Sequence, residues 1–284
     1  MRHHQPSKTA RRVALRRAAH QILDAPLILE DPFALRLLDP EDAAALQADP
    51  LQVERTPLDR ILRAFLVARS RYAEDELALA VQRGIRQYVI LGAGLDTFAC
   101  RSPYPEGLLR VFEVDHPATQ AWKRERLAEA GLTLSPDLVL APMDFETQTL
   151  ADGLRSAGWD NLRPTFFSWL GVTLYLTEDA VLRTLRFIAS APAGSEVVFD
   201  YGISPSLLNS KEHWVFESMS QRVAAAGEPW RAFFDPSLLA GTLRTMGFGH
   251  VKDLGAEEIN ARYFQNRTDG LQVGTLAHFM RARV

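Results

Sequence analysis

Residues 87–97 read QYVILGAGLDT, and this stretch narrows the fold more sharply than any other part of the chain. Tyr88, Val89, Ile90 and Leu91 form a continuous apolar run, the pattern of a strand buried on both faces of a parallel sheet. The run breaks at Gly92-Ala93-Gly94, where the chain must turn sharply and let a ligand approach its backbone. About twenty residues on, Leu109-Arg110-Val111-Phe112 ends in Glu113-Val114-Asp115. A carboxylate leaving a second strand at this distance can hydrogen-bond both hydroxyls of a ribose lying over the glycine turn. Strand, glycine turn, helix, strand and acid together predict a nucleoside-binding α/β half-domain.

The turn also discriminates between nucleosides. A dinucleotide fingerprint needs a third glycine and a helix N-terminus free to take a pyrophosphate. Here Thr97 takes the third glycine's place and Asp96 would repel the phosphates. S-adenosylmethionine suits this loop better. It needs close backbone approach and a ribose acid, but no phosphate cradle.

GAGLDT, followed by Arg101 and by FEVDHP at 112–117, resembles the leucine carboxyl methyltransferase-like family of class I S-adenosylmethionine-dependent methyltransferases, and in particular its bacterial O-methyltransferase branch of natural-product or polyketide metabolism. The similarity runs over nearly the whole chain. It takes in ARSRY at 68–72, Asp144-Phe145, TLYL at 173–176 and ARYFQNRTDGL at 261–271. The resemblance implies a Rossmann-like fold, with a mostly parallel seven-stranded sheet flanked by helices and a helical N-terminal cap. It also implies an arginine that pairs with the cofactor carboxylate, Arg69 being the better match and Arg71 the second. A bidentate guanidinium–carboxylate clamp is the physical reason for one, and a surface salt bridge is the plain alternative. Gly92, Ala93, Gly94, Asp96, Glu113 and Asp115 complete the expected cofactor set, with Asp144 and Phe145 at the adenine. Asp144 reads equally as a helix cap, and the two roles can coexist. Phe145 stands where relatives have leucine. Many relatives also carry an acid just before the Gly-x-x-x-Tyr-Leu segment. Leu170 stands there in this chain, so that acid's contribution does not carry over, and methylation of a protein carboxyl terminus loses weight.

Composition sets the bounds. At 284 residues, 47% hydrophobic and 24% charged, the chain is long enough to bury a sizeable core. A net charge of −3 makes no electrostatic case for nucleic acid. The single Cys100 excludes an internal disulfide and a cysteine metal site, and His3 and His4 are too few to suggest a metal. No apolar run is long enough to span a membrane, and the basic start lacks a signal-peptide core, so a cytoplasmic setting is expected. One domain is expected: a helical cap over 1–84, a cofactor core over 85–202, and substrate-side helices with terminal antiparallel strands over 203–284.

Within that frame, residues 9–23 predict a helix with Val13, Ala14, Arg17, Ala18 and Ile22 at helical spacing. Its basic side is either a solvated face or a flap turned toward an anionic substrate. Asp31-Pro32 predicts a short helix, and 58–81 a long one. Strands are expected over 137–141, 164–170 and 195–201, and helices over 206–226 and from Asp235-Pro236, the latter with Leu238, Leu239, Leu243 and Met246 inward. Trp169 and Tyr175 either line an apolar substrate cleft or fill the core. Methyl transfer from a sulfonium needs alignment above all. A carboxylate acceptor, with a pKa of about 4, needs no base. A phenol or alcohol would, and Tyr175, His213 and Asp200 are the candidates. The expected reaction is O-methylation of a small carboxylate or phenolic acceptor. A nicotinamide-dependent oxidoreductase, a catalytically silent cofactor binder and a protein C-terminal methyltransferase are the rivals. Acceptor identity and oligomeric state are not legible.

Overall fold

The structure, a computed structural model, describes residues 8–144, 148–225 and 227–284. Phe145, His3 and His4 lie outside the described residues. The helices are α1 (Lys8–Leu23), α2 (Pro40–Ala48), α3 (Pro57–Gln82), α4 (Pro117–Glu129), α5 (Leu150–Ser156), α6 (Glu178–Ala189), α7 (Ser210–Ala225), α8 (Pro236–Thr245) and α9 (Ala256–Tyr263). The strands are β1 (Gln87–Leu91), β2 (Arg110–Asp115), β3 (Leu138–Pro142), β4 (Phe166–Trp169), β5 (Glu196–Ile203), β6 (Phe233–Phe234), β7 (His250–Leu254) and β8 (Ala277–Arg283).

The strands form one sheet in the order β3-β2-β1-β4-β5-β8-β7. β8 runs antiparallel to both neighbours, and the other pairings are parallel. The expected seven-strand path is thus present. An eighth strand, β6, adds to β5 at Gly202 and Ile203. A Cβ on Gly202 would lie 2.5 Å from Leu174 Cδ2 and 3.0 Å from Phe233 Cδ1, so glycine is what lets these side chains approach. β1 is buried along its whole length, as its apolar run predicts.

Alternation along the strands divides the core. Tyr88, Ile90, Phe166 and Val198 face α3 and Phe279, while Val89, Leu91, Phe112, Phe167 and Phe199 face α6 and α8. A third cluster joins Ala14, Ala18 and Ala19 of α1 to Leu38, Leu46 and Leu95. The alanines let α1 pack closely, and Leu95 brings it over the glycine turn.

Two helix faces differ from expectation by about one position. On α1, Ile22 is exposed and His20 is buried. On α8, Leu238 is 73% exposed while Leu239 and Leu243 are buried. Asp31-Pro32 opens turns rather than a helix. Asp31 is instead the buried acceptor for Arg17 and for Thr97 Oγ1 at 2.7 Å, which ties the N-terminal segment to the glycine turn.

His20 fixes the chain that follows α1. Its Nε2 accepts from the backbone N–H of Ile28 at 3.1 Å and Leu29 at 3.3 Å, so that nitrogen carries no proton. Nδ1 lies 2.5 Å from Asp24 Oδ2. Burial, with Arg63 and Arg267 nearby, drives its pKa from 6.5 down to about 3. Between those values the unfolded chain binds a proton that the folded chain does not, so stability falls as pH drops from 6.5 toward 3. The slope from this group is at most about 1.4 kcal/mol per pH unit. A His20→Gln variant keeps an acceptor near the Nε2 position but cannot titrate. Urea unfolding across this range should show a flatter pH profile for the variant, and parallel profiles would contradict the assignment.

Candidate cofactor and acceptor site

The sheet order reverses between β1 and β4, and ligands of open α/β sheets lie at such a switch, beyond the carboxyl ends of the strands. A cavity of about 820 Å³ opens there. Its floor is the glycine turn, with Asp115, Asp144 and Leu170 at its walls and Ala10 and Val13 of α1 above.

The turn is built by its glycines. Gly92 and Gly94 have φ of +69° and +53°, and a Cβ on Gly92 would stand 2.4 Å from Val172 Cγ2. Gly92 and Ala93 both donate to Val114 O, at 2.8 and 3.1 Å. Asp115 then closes the loop, accepting from Gly94 N at 2.6 Å and His116 N at 2.7 Å. Burial raises the Asp115 pKa, and the two backbone amides oppose that rise. Asp96 caps the next turn through Phe98 N at 2.7 Å and faces Arg17 at 3.4 Å.

Glu113 is placed differently from the expectation. It shares a strand face with Asp115 but lies one step back, 1% exposed and ion-paired with Lys123 of α4. Lys123 also donates to Asp96 O at 2.6 Å, so this buried pair supports the turn from beneath and Glu113 does not line the cavity.

Of the two arginines, Arg69 lines the cavity and Arg71 does not. Arg71 is about half exposed and pairs with Asp75 one helical turn away, the plain surface bridge. Arg69 is buried, its Nη1 3.0 Å from Asp200 Oδ2, and it packs against Gly171 at φ +72°. Asp200 Oδ1 accepts from Gly171 N at 2.5 Å. Both oxygens of Asp200 are therefore engaged.

A second cavity of about 510 Å³ adjoins the first. Thr9, Val13, Arg69, Gly171 and Tyr175 line both. Its walls are apolar: Leu62, Phe65 and Leu66 of α3 face Phe216 and Met219 of α7. No described residue of α7 is buried, because its apolar stripe is turned to this space. Tyr175 sits at the junction, while Trp169 is core, 3% exposed beside Phe199. His213 lies on another face of α7, 46% exposed and 3.6 Å from Glu217, and lines neither cavity. Arg262 stacks on Tyr72 and Tyr263, and Arg267 pairs with Asp269, so the 261–271 segment is structural rather than part of the site.

Sequence reasoning missed Gly171, whose need shows only when Arg69 is packed against it, and the apolar stripe of α7, which its spacing at Val215, Phe216, Met219 and Val223 could have signalled. It left two readings for α1; in the structure Arg12 and Arg16 line the second cavity, while Arg11 and Arg12 are also exposed to solvent.

The first cavity fits S-adenosylmethionine in its donor set. Asp96, Asp115 and Asp144 offer acceptors to hydroxyl, amine and sulfonium groups, and Arg69 offers a cation to a carboxylate. Three acids lining one cavity are unsuited to a pyrophosphate.

The fold and this crevice define a nucleoside-dependent enzyme of the Rossmann-like kind, and similarity to known proteins specifies it. A family model described as leucine carboxyl methyltransferase matches residues 10–189. A Bacillus subtilis (strain 168) protein named as a presumed S-adenosyl-L-methionine-dependent methyltransferase, YktD, is 35% identical across 99% of both chains. A similarly named Mycobacterium avium (strain 104) protein is 33% identical over 61% of this chain and 57% of its own. Among solved structures, a presumed methyltransferase from Thermobifida fusca YX shares the fold with a TM-score of 0.58 at 19% identity, covering 98% of this chain and 95% of that one. A DUF574 family protein from Streptomyces avermitilis does so with a TM-score of 0.55 at 17% identity, covering 98% and 97%. The protein is an S-adenosylmethionine-dependent methyltransferase. It belongs to the leucine carboxyl methyltransferase family.

Proposed function

We propose that the protein transfers a methyl group to an oxygen of a small acceptor, a carboxylate or a phenolic, polyketide-like hydroxyl. The observation that carries this reading is the second cavity, apolar-walled and joined to the first at Tyr175, Gly171 and Arg69. S-adenosylmethionine, when bound, supplies an electrophilic methyl on a sulfonium. In this reading the residues at the glycine turn and Asp115 hold the nucleoside, Asp144 addresses the adenine, and Arg69 holds the amino-acid carboxylate while Asp200 orients its guanidinium. Leu174, Phe216 and Met219 exclude water from the acceptor side. A carboxylate acceptor arrives ionised and asks only for alignment. Among the three candidate bases only Tyr175 meets both cavities with its side chain uncommitted to an ion pair. The family description favours a second reading, a polypeptide C-terminal carboxylate as acceptor. Among the described residues no helix is long and apolar enough to cross a membrane, which accords with the proposed cytoplasmic setting.

A panel of aryl and alkyl carboxylates, phenols and C-terminal peptides, assayed with methyl-labelled cofactor, tests the reading. Label in a small-molecule ester or ether supports it, and label confined to peptide carboxylates overturns it. With a carboxylate acceptor, Tyr175→Phe should keep kcat within about tenfold, whereas a general base contributes 10²–10⁴-fold. A phenolic acceptor methylated through Tyr175 should lose at least about a hundredfold.

A further inference from the structure

The second cavity is long rather than round. On α3 it runs from Arg69, shared with the cofactor cavity, to Asp59, which lines the second cavity alone. Ten residues of helix separate them, an axial distance of about 15 Å. Ile61, Leu62, Phe65 and Leu66 fill the interval with apolar surface. On α1 the division is by helix face: Thr9 and Val13 line both cavities, Arg12 and Arg16 only the second.

Two arginines meet at the far end, on Asp59. Arg16 Nη2 is 3.1 Å and Arg222 Nη2 3.4 Å from the same oxygen, Asp59 Oδ1. The other oxygen, Oδ2, is occupied by the helix cap, accepting from Thr56 N at 3.1 Å and Thr56 Oγ1 at 2.8 Å. Arg12, one turn from Arg16 on α1, makes no ion pair among the described residues. One carboxylate oxygen therefore serves two guanidinium groups, and Arg12 is a further cation lining the same cavity. The other charged groups lining the cavity do not restore the balance. Lys211 adds a cation, Glu212 is bonded to Thr275 at 2.6 Å and to Asn209 N at 2.8 Å, and Arg69 and Asp200 offset each other. A second shortage is of acceptors: Arg16 Nε and Trp230 Nε1, on two cavity-lining residues, are buried donors without a partner. A largely buried Arg16 that shares one carboxylate oxygen with Arg222, and keeps its Nε–H unpaired, can take a further anion.

We propose that the methyl acceptor is an elongated, largely apolar molecule carrying an anionic group at the end remote from the methylated oxygen, held by Arg12, Arg16 and Arg222. This rests on the O-methyltransfer reading and adds the shape and charge of its substrate. The reacting oxygen lies at the Tyr175 end, and the apolar body spans α3 and α7.

The test is equilibrium binding to the full chain loaded with S-adenosylhomocysteine, comparing monomethyl dodecanedioate, which mimics a methylated product with a free distal carboxylate, with dimethyl dodecanedioate, which lacks it. The monoester should bind at least about tenfold more tightly in low salt, and the preference should shrink as salt rises. Arg222→Gln and Arg16→Gln should each collapse the ratio, with binding of S-adenosylhomocysteine showing that the variants are folded. Because Arg222 is half exposed, its variant serves if loss of Arg16 disturbs the fold. Equal affinities, a preference that survives both substitutions, or no binding of either ester would overturn the proposal. Methyl transfer to the acceptor panel is read separately. Transfer without a distal-anion preference removes this inference alone, and the preference without transfer removes the reaction assignment.

Discussion

Replacing Gly171 with alanine should abolish cofactor binding while the sheet remains folded. Gly171 has φ +72°, a conformation that costs an L side chain roughly 1–2 kcal/mol. A Cβ there would stand 2.5 Å from Arg69 Nη2, 2.8 Å from Nη1 and 2.9 Å from Cζ. Ordinarily the end of a flexible side chain could move aside. Arg69 is a poor case for that, because it is buried and its Nη1 is tied to Asp200, whose other oxygen holds the amide of Gly171 itself. Moving the guanidinium breaks the ion pair, and moving the loop breaks the Gly171–Asp200 bond. Either leaves a buried charge short of a partner, a loss of about 3–5 kcal/mol for a fully buried pair. The expected result is a melting temperature lowered by several degrees and an affinity for S-adenosylmethionine reduced at least about a hundredfold. Calorimetric titration and a thermal melt on the same sample would check it. Near-normal affinity would mean that Arg69 does not hold the cofactor.

The fold was legible because its strongest signals are local. The apolar run at 88–91 breaks at two glycines, and the acid at 115 ends the paired strand; each is set by backbone sterics and strand burial over a few residues. The terminal antiparallel pair was expected from the family resemblance rather than from such local signals. Charged residues were harder, because their roles depend on which partner the fold delivers. Glu113 and Asp115 look equivalent in sequence, two residues apart on one face, yet only the second reaches the strand end. What separates them is Lys123 in α4, which neutralises the first. Arg69 and Arg71 differ in the same way: a two-residue step on a helix turns a side chain through about 200°, from the core to solvent. His213 was a candidate because it lies in the helical segment after the fifth strand, where insertions commonly cover the pocket. The stripe that faces the cavity passes through Val215, Phe216 and Met219 instead.

The second cavity was beyond local reading. It is bounded by α1, α3, α7 and the segment around Trp230, so its existence is a statement about tertiary packing. The sequence held a hint in α7, whose apolar residues have no counterpart in either core cluster on the sheet faces. The arginines at 12, 16 and 222 were individually ordinary. Only the convergence of Arg16 and Arg222 on Asp59, in a cavity that Arg12 also lines, gives them a function to explain.

Asp115 offers the sharpest test of the cofactor side. Its two oxygens accept from Gly94 N at 2.6 Å and His116 N at 2.7 Å, so it shapes the turn before any ligand arrives. Alanine at this position removes both acceptors and the proposed partner of the ribose hydroxyls. Hydrogen bonds to a charged group contribute about 1.5–3 kcal/mol each, so losing two such interactions with the nucleoside weakens binding by roughly a hundredfold to ten-thousandfold. Asparagine separates shape from charge. It keeps one oxygen acceptor but presents an amide where a second was needed, so one of the two backbone donors or one ribose hydroxyl goes unmatched. Asp115→Asn should therefore fall between wild type and Asp115→Ala, with calorimetry on S-adenosylhomocysteine giving the order. Both variants should retain the far-ultraviolet circular dichroism of the parent, since Asp115 lies at the strand end and β2 keeps its pairing to β1 and β3 through residues 110–114. If both bind the cofactor product as tightly as the parent, the ribose is held elsewhere and the glycine turn is not the nucleoside site.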